Sequence, residues 1–207
     1  MKTMLLTVSC LMLLVSGALA QASDLFISEY IEGSSNNKAL EIYNGTEAAI
    51  NMSEYVVERY SNGGTTPVTI SLIDIVVEPG DVFVIANPSA VAAILDVADQ
   101  TSGDLNFNGD DALVLVKGGA VVDRFGQRGF DPGSAWECAN GSTANHTLRR
   151  MNDICDGDTD PDAVFDPCDE YDFYPSDTFD GLGAHTADCG SVGNGNTTWG
   201  ALKAEYR

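Results

Sequence analysis

Eight carboxylates and a pair of cysteines fall within the eighteen residues from Cys155 to Asp172, "CDGDTDPDAVFDPCDEYD", with no basic residue among them. Asp156, Asp158, Asp160 and Asp162 alternate, a spacing that can aim several carboxylates at one hard cation, and Asp166 follows closely enough to join them. Calcium takes roughly six to eight oxygen ligands and tolerates flexible loops, so Ca2+ is the cofactor this segment would hold. The match to an EF-hand loop fails at two places. Pro161 stands where the turn glycine belongs and Pro167 where the bidentate glutamate belongs, so Asp169 or Glu170 would have to supply ligands from a different loop geometry. The competing reading is a solvated acidic loop held by disulfides.

A second cluster is basic. Arg124, Arg128, Arg149 and Arg150 lie within 27 positions and form a candidate anion patch for phosphate or another polyanion. The same four guanidinium groups can instead pair with the acidic segment that follows them, and the charge of the whole chain favours this second arrangement. Beyond the leader, the histidines are His146 and His185, each beside a threonine. A hydrolase could set one of them against a nearby carboxylate as general base. No G-x-S-x-G, H-E-x-x-H, Walker A or dinucleotide fingerprint accompanies them, so no residue is assigned as catalytic and the chain reads as a non-enzyme.

The chain of 207 residues opens "MKTMLLTVSCLMLLVSGALA": one lysine, an apolar run, then small residues ending Ala18-Leu19-Ala20. This is the layout of a secretory signal peptide over 1–20, and the expected product is secreted, beginning near Gln21. Cys10 fits a lipid-anchor motif poorly, because the apolar run continues past it. Of the 10 basic residues, Lys2 leaves with the leader, so 9 face 31 acidic residues for a net charge of −22. Such a surface repels nucleic acid phosphates and suits a saline exterior where counterions screen it. Cys138, Cys155, Cys168 and Cys189 remain, an even count that reads as disulfides in a secreted chain. Short sequential staples, Cys138–Cys155 and Cys168–Cys189, are the expected pairing. A zinc site is disfavoured by the absence of any C-x-x-C pair.

These groups must be positioned by short β segments broken by turn residues. Candidate strands are 25–31, 38–44, 55–60, 68–77, 81–86, 112–117, 120–126 and 146–151, with Gly118-Gly119 as a two-residue hairpin signal. In "KALEIYN" the alternation sends Ala39, Glu41 and Tyr43 to one face and Leu40, Ile42 and Asn44 to the other. Glu41 therefore reads as a buried, hydrogen-bonded carboxylate or as a partner for Lys38. Asn108 to Asp111 reads as a turn that satisfies its own backbone. Trp136 should pack in the core with its N–H bonded. One helix is expected over 89–99, capped by Ser89. Many strands and one isolated helix predict an all-β antiparallel sandwich. After about residue 190 a Gly/Asn linker leads to a short tail in which Trp199, Leu202 and Tyr206 recur at helical spacing, a segment that would dock on the sandwich or serve recognition. Sequons occur at Asn44, Asn51, Asn140, Asn145 and Asn196.

The phrases "LFISEYIEGSSNNKALEIYNGT" (25–46), "LNFNGDDALVLVKGG" (105–119), "DRFGQRGFDPGSAW" (123–136), "HTLRR" (146–150) and "DTFDGLGAHT" (177–186) together resemble the lamin tail domain, in the version found in bacterial secreted proteins and at the front of extracellular nucleases. The resemblance implies an immunoglobulin-like β-sandwich over 21–190. In the nucleases the hydrolytic chemistry belongs to a separate domain downstream. Cys168 and Tyr171 depart from the family's pattern, and the cysteine suggests a staple particular to this chain. The expected function is a secreted binding or adhesion module for an unknown extracellular ligand. The alternatives are an accessory partner of an extracellular nuclease, and a structural envelope protein.

Overall fold

The computed structural model describes residues 22–188. The leader over 1–20, Cys189 and the tail with Trp199, Leu202 and Tyr206 lie outside the described residues. The strands are β1 (Phe26–Glu32), β2 (Lys38–Tyr43), β3 (Ile50–Asn51), β4 (Tyr55–Tyr60), β5 (Val68–Ser71), β6 (Val76–Val77), β7 (Val82–Ala86), β8 (Gln100–Thr101), β9 (Ala112–Lys117), β10 (Ala120–Phe125), β11 (Glu137–Cys138), β12 (Gly141–Ser142), β13 (His146–Arg150) and β14 (Tyr171–Pro175). One sheet runs β14-β13-β1-β2-β7-β8 and the other β10-β9-β4-β5, with the pairs β11-β12 and β3-β6 outside them. Every pairing is antiparallel except β7 with β8. This is the antiparallel sandwich expected from the strand pattern, in the immunoglobulin-like form that the family resemblance implies.

Alternation builds two apolar layers. Ile27, Tyr30, Leu40, Ile42, Phe83 and Ile85 of the larger sheet meet Tyr55, Val57, Leu113 and Leu115 of the smaller one. Tyr30 lies stacked between Phe107 and Phe125, at centroid distances of 4.8 and 3.9 Å. The opposite face of the larger sheet is also buried, with Phe26, Ile31, Ala39, Tyr43 and Val84 packed against Ile94, Leu182 and Ala187. Both halves of the "KALEIY" alternation thus find cover, which is why all six residues of β2 are buried. The cover comes from helix α1 (Ala92–Leu95) and from the strap formed by residues 178–188.

Three local expectations change. The helix is four residues long and starts after Val91, too late for Ser89 to cap it, and the chain ahead of it turns across Pro88, where the Asn87 side chain accepts from the Ser89 N–H (2.9 Å). Its far end is cut short where Asp99 bonds both ways with Val84 (2.8 and 2.9 Å) and draws the chain into β8. The run 68–77 breaks into β5 and β6, since Met52 N–H takes the Ile75 carbonyl (2.9 Å) and pulls the second half toward β3. The cysteine pairing is Cys138–Cys168, with Cα atoms 6.0 Å apart, so neither Cys138–Cys155 nor Cys168–Cys189 forms. The β11-β12 hairpin lies against the 3-10 turn Pro167–Asp169, which brings these two cysteines together across 30 positions of sequence. Cys155 is itself disulfide-bonded.

Candidate functional site

The acidic segment is laid along the arginines. Asp158 accepts from Arg124 Nε (2.8 Å) and Nη2, and Asp162 accepts from Arg128 Nε (2.7 Å) and Nη2 (2.9 Å). Asp158 and Asp160 each also take the backbone N–H two residues on, at 2.9 and 3.1 Å. Burial works against the charge on Asp158, but the Asp160 N–H and Arg124 outweigh it and hold the carboxyl below its ordinary range. Asp156 accepts from Ser23 N–H (2.8 Å), and Asp166 caps the 3-10 turn through Cys168 N–H (2.9 Å). The five aspartates are therefore spread along a ladder of separate donors and do not converge. Among the described residues, one group of three potential metal ligands lies together, Cys138, Asp166 and Cys168, and its two sulfurs are joined to each other.

The arginines do not share an exposed face. Arg124 and Arg150 are buried, at 4% and 2% exposure. Arg128 lies over Tyr60, and Arg149 over Tyr174 at 4.2 Å from the ring centroid. Arg150 is the hub of a sealed network. Its Nη2 reaches Asp123 (3.1 Å), Glu170 (3.0 Å) and the Tyr171 hydroxyl (3.0 Å), while Nη1 donates to the Asp156 carbonyl (3.1 Å). Asp123, fully buried, also accepts from Ile27 N–H (2.7 Å) and Asp158 N–H (2.8 Å). The register of β1 shifts between Ile27 and Glu29, and that of β10 between Val121 and Asp123. One carboxylate thus serves two bulges, filling the bond that the β1 irregularity leaves open.

A second acidic constellation was not legible as a pair. Glu29 and Glu41 are opposite each other in the β1-β2 register, both buried beneath the strap. Glu41 accepts from Ser28 Oγ (2.7 Å) and Gly183 N–H (2.6 Å). It is the hydrogen-bonded carboxylate that its strand position foretold, and Lys38 pairs with Glu32 instead. Glu29 accepts from Arg149 Nε (3.1 Å), whose Nη2 donates to Asp180 of the strap (2.5 Å). Glu29 Oε1 is buried with no partner among the described residues. Burial first, and the neighbouring Glu41 charge second, push the Glu29 carboxyl up to about 8, against the pull of Arg149. The pair holds a proton at neutral pH, but no substrate can reach it at 2% and 0% exposure.

Among the described residues, neither histidine bonds a carboxylate. His146 Nδ1 bonds the Ala144 carbonyl (2.8 Å), and His185 packs edge-on between Phe26 and Tyr43. Burial, then the Arg150 charge, push His185 down to about 4. The turn at Asn108 closes through Asp111 N–H to the Asn108 carbonyl, and Asp111 receives Asn62 N–H (3.1 Å) and Arg59 (3.2 Å). Trp136 packs against Phe165 as expected, but its Nε1 has no partner among the described residues. At the Asn44 sequon the amide is consumed inside the fold by the Ala48 and Val77 carbonyls.

Stability should fall as pH rises from about 6.5 to 8. Folded Glu29 keeps a proton that the unfolded chain, with its ordinary 4.5, has released, so alkali favours unfolding up to about 8. His185 works in the other direction between about 4 and its ordinary 6.5, where only the unfolded chain is protonated. Above 6.5 the glutamate is unopposed, at up to about 1.4 kcal/mol per pH unit. Urea unfolding at the two ends of this window should show the loss in the wild type and a flat response in Glu29→Gln. Equal slopes for both chains would remove Glu29 as the cause.

No curated protein and no solved structure matches the chain. The family model described as Lamin Tail Domain matches residues 19–129, more than half of the 207. The match covers β1 to β10 and stops before β13, the strand that pairs directly with β1 and supplies Arg150. With the sandwich, the β1-β2 hairpin and the β9-β10 hairpin in place, the chain belongs to the lamin tail domain family.

Proposed function

We propose that this chain is a secreted, non-catalytic lamin tail domain that acts outside the cell as a binding or adhesion module. The observation that carries this reading is the inward use of its ionisable groups. Arg124, Arg128, Arg149 and Arg150 are each bonded to carboxylates of the same chain, and Glu29, whose carboxyl burial raises, lies with Glu41 buried under the strap. A network of this kind fixes a frame, leaving loops and strand edges to meet a ligand. The leader sequence and the oxidised Cys138, Cys155 and Cys168 support an oxidising exterior.

Purified residues 21–207 should show no turnover of DNA, RNA or a chromogenic phosphodiester with magnesium, calcium or manganese, and the protein should be recovered from the medium. Metal-dependent hydrolysis that co-elutes with the protein through successive columns, and is lost with no other band, would sink the non-catalytic reading. Retention in the cell fraction would sink the secreted one.

A further inference from the structure

The free edge of the smaller sheet has an unusual set of open backbone groups. β5 pairs with β4 on one side, with Val56 opposite Ser71 and Glu58 opposite Thr69, and it is the last strand of its sheet. Leu72 N–H donates to the Tyr55 carbonyl (3.3 Å), so by strand parity Val68 and Ile70 also face β4, while Thr69 and Ser71 face outward. The Gln100 side chain confirms this parity. Its amide donates to the Ser71 carbonyl (2.9 Å) and accepts from Ile73 N–H (3.0 Å), standing in for a peptide group at that end of the edge. Among the described residues, what remains open is Thr69 N–H, Thr69 C=O, Ser71 N–H and the Pro67 carbonyl, with proline contributing no N–H.

We propose that this edge pairs with the same edge of a second copy, antiparallel about a twofold axis through Thr69. In that register Thr69 exchanges both bonds with its counterpart, and Ser71 N–H meets the Pro67 carbonyl of the other chain. The remaining position sets the Ser71 carbonyl, already bonded to Gln100, against the proline that has nothing to donate. Every open group is matched and the missing donor falls on the filled acceptor, a self-complementarity that an arbitrary peptide does not share. The twofold also places Val68, exposed at 37%, beside Ile70 of the second copy.

Charge selects the occupant. The chain carries −21 overall, yet residues 60–73 hold no charged side chain, so two copies can meet here without the repulsion they meet elsewhere. Edge strands are ordinarily blunted by charge, and this one has none. A four-residue strand offers far less than the roughly 1,200 Å² of stable complexes, so the pairing is a weak one that shows only at high protein concentration.

Sedimentation equilibrium of oxidised residues 21–207, from about 5 μM to about 1 mM in about 0.5 M NaCl to screen the net charge, should show the mass rising toward twice the monomer. Amide exchange should slow with concentration at Thr69 and Ser71 while Ile70 stays protected throughout. Thr69→Pro removes only an outward N–H and should keep the melting temperature while holding the chain monomeric at every concentration. Val164→Lys, at an exposed apolar residue elsewhere, should dimerise as the wild type does. A single monomeric mass at 1 mM overturns the proposal. So does a dimer that Thr69→Pro leaves intact, or protection of Thr69 and Ser71 that appears only with an added extended peptide.

Discussion

Asp123→Asn should cost about 3–5 kcal/mol of folding stability, the largest single effect expected in this protein. The substitution keeps the shape of the side chain and removes its charge. Arg150 is then left fully buried with Glu170 as its one remaining carboxylate, itself partly exposed, and burial already raises that group's pKa despite Arg150. The new amide must also present an oxygen to Ile27 N–H and Asp158 N–H while its nitrogen cannot accept from either. Arg150→Met should cost less, because Asp123 keeps both backbone donors. The double variant should not restore stability, since the loss is partly a loss of backbone bonds rather than of the ion pair alone. Urea unfolding of the four chains tests this. A change under about 1 kcal/mol for Asp123→Asn, or full rescue by Arg150→Met, would show that the network is peripheral to folding.

Much of this fold was legible because its strands alternate and its turns carry glycine and asparagine. The hairpin at Gly118-Gly119 has both residues at positive φ, 56° and 89°, the geometry that such a pair permits. What was not legible depends on partners distant in sequence. β14 hides in "YDFYP" because its neighbours are acidic and it ends in proline, and only pairing with β13 makes it a strand. The 89–99 stretch has helical composition, yet Asp99 is worth more to the β7-β8 junction than to a third helical turn. Among the candidate site residues, spacing alone suggested that alternate aspartates converge. In the structure they bond to separate donors, Asp158 to Arg124, Asp162 to Arg128, Asp156 to Ser23 N–H and Asp166 to Cys168 N–H. The Glu29–Glu41 pair needed the strand register, in which an irregularity after Ile27 sets Glu29 against Glu41. No periodicity in a single strand encodes that shift.

Loss of the Cys138–Cys168 bond should cost about 3–4 kcal/mol, as expected for closing a loop of 30 positions, and lower the melting temperature by about 10 °C. The loop it closes is not a decoration. It contains β13, which lies between β1 and β14 in the larger sheet, together with Arg150 and the acidic ladder that engages Arg124 and Arg128. All of it lies beyond residue 129, where the family match ends, so the bond tightens the part of the sandwich that the family match leaves out. The test is Cys138→Ala with Cys168→Ala rather than a reductant, because Cys155 is oxidised as well and would be reduced in the same step. If the staple acts on the whole sheet, the global melting temperature falls and amide exchange quickens at β13 as well as in the β11-β12 hairpin. If the hairpin alone loosens while the melting temperature holds, the staple is local, and the stability of β13 must rest on the Asp123–Arg150 pair and its packing.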